Sequence, residues 1–142
     1  MQKRQVAVFT GKGQVKMITE KLAELKEHEV QVKVHASLIS PGTEMSNVTN
    51  LRATPNPKMP DTVFGYANAG EIIKVKGDVK GLKPGMRVAA MGGLGAHHAN
   101  YANVPVNMVV PIPDNVTYEQ AVYACLGATS LQAIRRTAEN PA

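Results

Sequence analysis

Apolar and polar residues alternate with a period of two in several short runs of the first half of the chain. Residues 5–10 and 13–18 read as two strands around Gly11-Lys12, a pair suited to a tight hairpin. Val30, Val32, Val34 and Ala36 alternate with Gln31, Lys33 and His35, the period of a half-buried strand. Residues 19–28 favour a helix by propensity. Leu22 and Leu25 are their only large apolar residues, too few for a buried stripe, so a loop or a single turn is expected.

Helix breakers come next. Pro41, Gly42, Pro55, Pro57 and Pro60 leave room only for loop and a short helix near residues 44–50. Strand patterns return at 69–75, 87–91 and 101–112. Glycines at 65, 70, 77, 81, 85, 92, 93 and 95 punctuate them, as the corners of a small barrel require. The pattern then turns helical. Thr117 and Gln120 have capping-box spacing, residues 121–126 fit a short helix, and Gly127 is expected to separate it from a second helix over 129–139 closed by Asn140-Pro141. The fold class expected is mainly β, a partly open barrel with two short C-terminal helices.

Composition narrows the function classes. A chain of 142 residues is one domain's worth. One cysteine, Cys125, excludes a disulfide framework. No apolar run approaches the ~18 residues of a membrane span, and the N-terminus lacks a secretory signal, so a cytoplasmic protein with no membrane partner is expected. The net charge of +5 raises the question of nucleic acid. However, Lys74, Lys76, Lys80, Lys83 and Arg87 are interleaved with Val75, Val79, Leu82 and Val88, the pattern of a solvated edge. With no Trp and two Phe the chain is also poor in base-stacking side chains, so nucleic acid is not the expected partner.

Candidate chemistry is sparse. One cysteine cannot build a four-ligand structural zinc site. His28 and His35 read as surface residues, and neighbours such as His97 and His98 would point to opposite faces of a strand. Gly92-Gly93-Leu94-Gly95 lacks the third glycine of a dinucleotide fingerprint, and no helical pattern follows it.

Five segments, in order, resemble one family. Val32-Lys33-Val34-His35-Ala36 precedes a loop, Ser40-Pro41-Gly42-Thr43-Glu44. Gly65-Tyr66-Ala67-Asn68-Ala69-Gly70-Glu71-Ile72 is similar to G-H-E-x-A-G-E-V. Residues 77–88 follow G-x-x-V-x-G-x-K-x-G-D-R-V with Met86 in place of Asp, and residues 99–116 follow A-E-Y-x-x-V-P…V-P-I-P-D-x-V. Gly127-Ala128-Thr129-Ser130-Leu131-Gln132-Ala133 resembles the helix that joins two domains. The chain thus resembles the N-terminal, GroES-like domain of the medium-chain dehydrogenase/reductase superfamily, which contains the zinc alcohol dehydrogenases and the quinone reductases.

The resemblance implies a GroES-like substrate and catalytic domain over residues 1–126. Residues 127–142 would open the helix leading to a Rossmann cofactor domain that this chain does not contain. It implies an NAD(P)-dependent oxidoreductase acting on a small molecule, with the 142-residue chain inactive alone, binding no NAD or NADP by itself, and able to self-associate. It also implies a zinc-free branch. Ser40 or Pro41 stands where zinc enzymes carry Cys, Tyr66 replaces the His ligand and Ala67 the Glu beside it. The structural-zinc lobe is missing, and Cys125, near the last ligand position, is a lone thiolate. No metal is therefore expected. At the matched positions Tyr66 either donates a hydrogen bond to a substrate oxygen or fills the vacated metal pocket. Ser40 and Thr43 either contact substrate or cap the helix after them. Thr129 either approaches the nicotinamide or packs in its helix. His98 either faces the cleft or, the preferred placement, lies on the surface. A non-catalytic GroES-like binding or scaffold module is the alternative function.

Overall fold

The computed structural model describes residues 2–139. Strands β1 (Lys3–Phe9) and β2 (Val15–Lys21) form the expected hairpin, in antiparallel register with Phe9 opposite Val15. Its connection is wider than a Gly11-Lys12 turn. It spans residues 10–14, closed by the Thr10 N–H donating to the Gln14 carbonyl at 2.9 Å, with Gly13 at a φ of 66°. β2 continues to Lys21, which pairs with Lys3, so the start of the stretch expected as loop is strand. Pairing with β1 overrides the local helix preference there.

The remaining elements are β3 (Glu29–Ser37), α1 (Pro41–Ala53), β4 (Thr62–Val63), β5 (Ala67–Lys76), β6 (Arg87–Met91), β7 (Tyr101–Pro105) and β8 (Val109–Pro111). Two antiparallel sheets result, ordered β2-β1-β4 and β7-β3-β5-β6-β8. They make a mainly β, open body of the expected class. The run expected as one strand over 101–112 is two, divided by a 3-10 turn at Val106–Met108. The short helix expected near 44–50 extends from Pro41 to Ala53.

Alternation explains the core. Val30, Val32, Ile72, Val88 and Val104 come from four neighbouring strands and pack as one cluster, each fully buried. A side chain of this size gains about 1.5–3 kcal/mol on burial. The two sheets are joined by the segment ahead of β7. The Ala7 N–H donates to the His98 carbonyl at 2.8 Å, and the Asn100 N–H to the Gln5 carbonyl at 3.1 Å. Asn100 also accepts, through its carbonyl, the Val34 N–H at 3.0 Å. Residues 98–100 therefore bridge β1 and β3.

At the C-terminus the capping box forms as the spacing requires. Thr117 Oγ1 accepts the Gln120 N–H at 3.2 Å, and Gln120 Oε1 accepts the Thr117 N–H at 2.9 Å. Helix α2 (Tyr118–Ala121) is a single turn, and α3 (Ala124–Glu139) follows. The expected separation at Gly127 is not observed. The break falls at Val122-Tyr123, and the Gly127 N–H donates to the Tyr123 carbonyl at 2.8 Å as an ordinary helical residue. A single glycine costs a helix only about 1 kcal/mol, which the flanking Ala and Leu residues offset. The expected closure at Asn140-Pro141 lies outside the described residues.

Lys74, Lys76, Lys80 and Lys83 are exposed, as the interleaved pattern requires, and His28 and His35 are exposed too. Arg87 is half-buried with its guanidinium 4.8 Å from the Tyr118 ring centroid. Among the described residues no helix is long and apolar enough to cross a membrane.

Candidate active site

The site begins where β3 ends. Residues 38–40 lead from Ser37 into α1, and Pro41 occupies its first turn, where a missing N–H leaves no helical bond unmade. Ser40 is the N-cap residue, yet its hydroxyl makes no capping bond. Its N–H instead donates to Glu44 Oε2 at 2.7 Å. Thr43 is exposed in that first turn and makes no side-chain cap, while Glu44 and Val48, one turn apart, form the buried face of the helix.

His98 meets Glu44 from the opposite side. Its preferred surface placement is corrected: His98 is 8% exposed and Glu44 5%. His98 Nε2 lies 3.1 Å and 3.2 Å from the two Glu44 carboxylate oxygens, and Nδ1 lies 3.0 Å from Ser37 Oγ. The His98 N–H donates to the Phe64 carbonyl at 3.1 Å, and the Phe64 ring meets the imidazole edge-on at 5.1 Å. The sheet-joining role of residues 98–100 is what carries His98 inward.

Gly65 makes this approach feasible. Its φ is 113°, and a Cβ there would lie 2.5 Å from the His98 nitrogen. Fully buried Asn68 holds the same loop, with Nδ2 donating to the His97 carbonyl at 3.1 Å. Tyr66, between Gly65 and the start of β5, is half-buried, and its carbonyl accepts the Gly92 N–H at 2.8 Å. Ser37 pairs with Asn68 in the β3–β5 register, two residues from Tyr66. Of the candidate residues, Ser40 and His98 are thus brought together through Glu44.

Thr129 lies exposed on α3, which packs on β6, and its hydroxyl donates to the Cys125 carbonyl at 3.1 Å. Beneath the start of α3 an apolar hollow of about 120 Å³ is lined by Ala89, Met91, Met108, Val110, Cys125 and Ala128. Burial raises the Cys125 thiol above its ordinary pKa, which disfavours the thiolate. Burial lowers His97, whose Nε2 lies 2.9 Å from the Gly93 carbonyl.

Two members of the cluster, Ser37 and Glu44, were not anticipated. Glu44 stands four residues after Ser40, one beyond the capping-box spacing, so the usual pattern passes over it. Ser37 sits in a strand period as an ordinary polar position. A long-range pair such as 44 with 98 leaves no local signal.

A zinc centre takes about four N, S or carboxylate donors. The residues at the positions matched to such a centre are Ser40, Pro41, Tyr66 and Ala67, which do not fit the ion. Among the described residues no three His, Cys, Asp or Glu side chains come together. The turn at 92–95 leads towards β7 and not into a helix, so it is no pyrophosphate loop.

Comparison with known proteins identifies the domain. Residues 26–114 match the alcohol dehydrogenase GroES-like domain, and the chain belongs to that family. It is similar to the quinone oxidoreductase of Coxiella burnetii, with 20% identity, a TM-score of 0.78, and coverage of 96% of this chain and 45% of that one. A mycobacterial protein complexed with NADPH is 18% identical at a TM-score of 0.69, over 92% of this chain and 39% of that one. The highly reducing polyketide synthase cla2 of Cladosporium cladosporioides is 29% identical over 118 residues, 82% of this chain. The chain spans 4% of that synthase and less than half of each of the two solved chains.

Proposed function

We propose that this chain is the substrate-side domain of an NAD(P)-dependent medium-chain oxidoreductase that works without catalytic or structural zinc. In this reading residues 1–126 hold a small-molecule substrate, and the helix from residue 127 leads to a cofactor domain outside this chain. The protein is cytoplasmic, its partner is the small-molecule substrate, it is able to self-associate, and the chain by itself is inactive. The observation that carries the reading is the replacement, within this family's domain, of metal-ligand positions by Tyr66, Ala67 and either Ser40 or Pro41. The names of the similar proteins, a quinone oxidoreductase and a protein complexed with NADPH, support the reaction class.

The nicotinamide supplies the hydride when bound. The residues of this chain bind and orient the acceptor. Tyr66 donates its phenolic hydrogen to the substrate oxygen that zinc would otherwise polarise. Ser40 and Thr43 line the same edge, His98 braces it from within, and Thr129 faces the nicotinamide. Such preorganised donors act where charge develops and need no reorganisation during the reaction.

The test is turnover by the full-length protein that contains this segment. With NADH or NADPH and a panel of quinones, enones and ketones, we expect nicotinamide oxidation that survives a chelator. Absence of turnover across the panel, with cofactor bound, would favour the scaffold alternative. Activity abolished by chelation and restored by zinc would refute the zinc-free reading.

A further inference from the structure

The geometry points to Ser37, His98 and Glu44 as a proton relay that ends at the substrate oxygen, with Ser37 as its catalytic terminus; the inference rests on the oxidoreductase reading above. Three observations carry it. Ser37 is exposed, whereas His98 and Glu44 are buried, so the chain of hydrogen bonds runs from the interior to the surface. Its links are 3.0 Å (Ser37 Oγ to Nδ1) and 3.1 Å (Nε2 to Glu44), both of hydrogen-bond length. It emerges at the end of β3, where Ser37 pairs with Asn68, two residues along the chain from Tyr66, and where the Ser40 N–H donates to Glu44.

The chemistry of each group sets the direction. An ionised carboxylate only accepts, so His98 keeps a proton on Nε2 whether neutral or charged. The hydroxyl of Ser37 either donates to a bare Nδ1 or accepts from a protonated one, and both states fit the same link. With imidazolium in place, hydride adds to the carbonyl carbon and the C=O electron pair moves to oxygen. The Ser37 hydroxyl gives its proton to that oxygen, and the Nδ1 proton moves to Ser37 Oγ. His98 is left neutral, with Nε2–H on Glu44 and Ser37 now donating to Nδ1. A proton from solvent, arriving through Ser37, restores the imidazolium. The buried carboxylate stabilises the charged intermediate of the cycle, and the Ser40 N–H holds it in place.

Two measurements test this and separate it from the reaction class. In this chain, long-range proton–nitrogen NMR of labelled histidine should show neutral His98 as the Nε2–H tautomer, and Glu44→Gln should populate Nδ1–H. A wild-type Nδ1–H tautomer overturns the relay whatever the enzyme does. In the full-length protein, Ser37→Ala should lower kcat by about 10- to 100-fold with KM changed far less, and Ser37→Thr should restore most of it. Full kcat in Ser37→Ala, in an enzyme that does turn over, overturns the relay and leaves the oxidoreductase reading standing. If no nicotinamide is oxidised at all, that reading falls, and the relay falls with it.

Discussion

His98 and Glu44 are 54 residues apart in sequence and bonded through both carboxylate oxygens, at 3.1 Å and 3.2 Å. The Ser40 N–H at 2.7 Å and Ser37 Oγ at 3.0 Å complete the polar contacts of the two side chains, in a site that water scarcely reaches. Glu44→Ala would leave the imidazole buried opposite a cavity and free the N-cap N–H of α1. Removing one partner of a buried pair costs about 3–5 kcal/mol. We expect a loss of that order in urea unfolding, and a smaller one for Glu44→Gln. An unchanged midpoint for Glu44→Ala would show that the pair contributes nothing to stability.

Gly65→Ala should be among the most damaging single substitutions in the chain. The new Cβ would need a φ of 113° and would sit 2.5 Å from a backbone nitrogen that cannot swing away. We expect a loss of about 3 kcal/mol or more, seen as a large fall in Tm. As a control, Gly127→Ala meets nothing within 4 Å and should be neutral or stabilising.

The elements legible in the sequence were those with a local period. β3, β6 and the capping box at Thr117 follow from alternation or spacing alone. α1 was only partly legible, because Val48 is the sole apolar residue on its buried face and the other buried position is Glu44. The site was half legible. Ser40, Thr43, Glu44 and Tyr66 belong to segments that carry the family resemblance, while Ser37 and His98 lie outside them and meet Glu44's helix only through contacts made in the folded chain. Burial of His98 depends on residues 98–100 joining two sheets, a tertiary fact with no trace in local composition.

Stability should depend on pH through His97. Burial lowers its pKa below the ordinary value of 6.5, so the unfolded chain binds the proton more readily than the folded one. Its stabilising contribution is present above 6.5 and lost as pH falls from there through the lowered folded value. Urea midpoints measured on either side of that window should differ more for the wild type than for His97→Gln. Equal differences would show that His97 does not report the transition.

For this chain alone we expect neither stoichiometric zinc nor saturable NADPH binding. The positions matched to the metal carry Ser40 or Pro41, Tyr66 and Ala67, and the 92–95 turn offers no helix N-terminus to a pyrophosphate. Elemental analysis of untagged protein and calorimetry at micromolar concentration check the two expectations. One zinc per chain would contradict the first, and a micromolar NADPH isotherm the second.

Tyr66→Phe, in the full-length protein, should lower kcat/KM more than it lowers stability. Loss of one donor to a developing oxyanion costs on the order of 10²-fold in rate. A hydroxyl that merely satisfies itself in a packed interior costs about 1 kcal/mol of stability and little rate. Wild-type kcat/KM together with a lower Tm would make Tyr66 a packing residue.

Helix α3 is sixteen residues long, yet residues 126–138 are all exposed, Leu131 and Ile134 among them. Only its first turn is clamped to the body, through buried Cys125. A helix of that length is marginal in water without a packed face. In hydrogen-exchange terms the domain is therefore two cooperative units. Amides of β3 and β5 should open only with global unfolding, whereas those of the last three turns of α3 should exchange within the dead time until a surface covers Leu131 and Ile134. Protection along α3 would then serve as a direct gauge of whatever docks there, read without any knowledge of its chemistry.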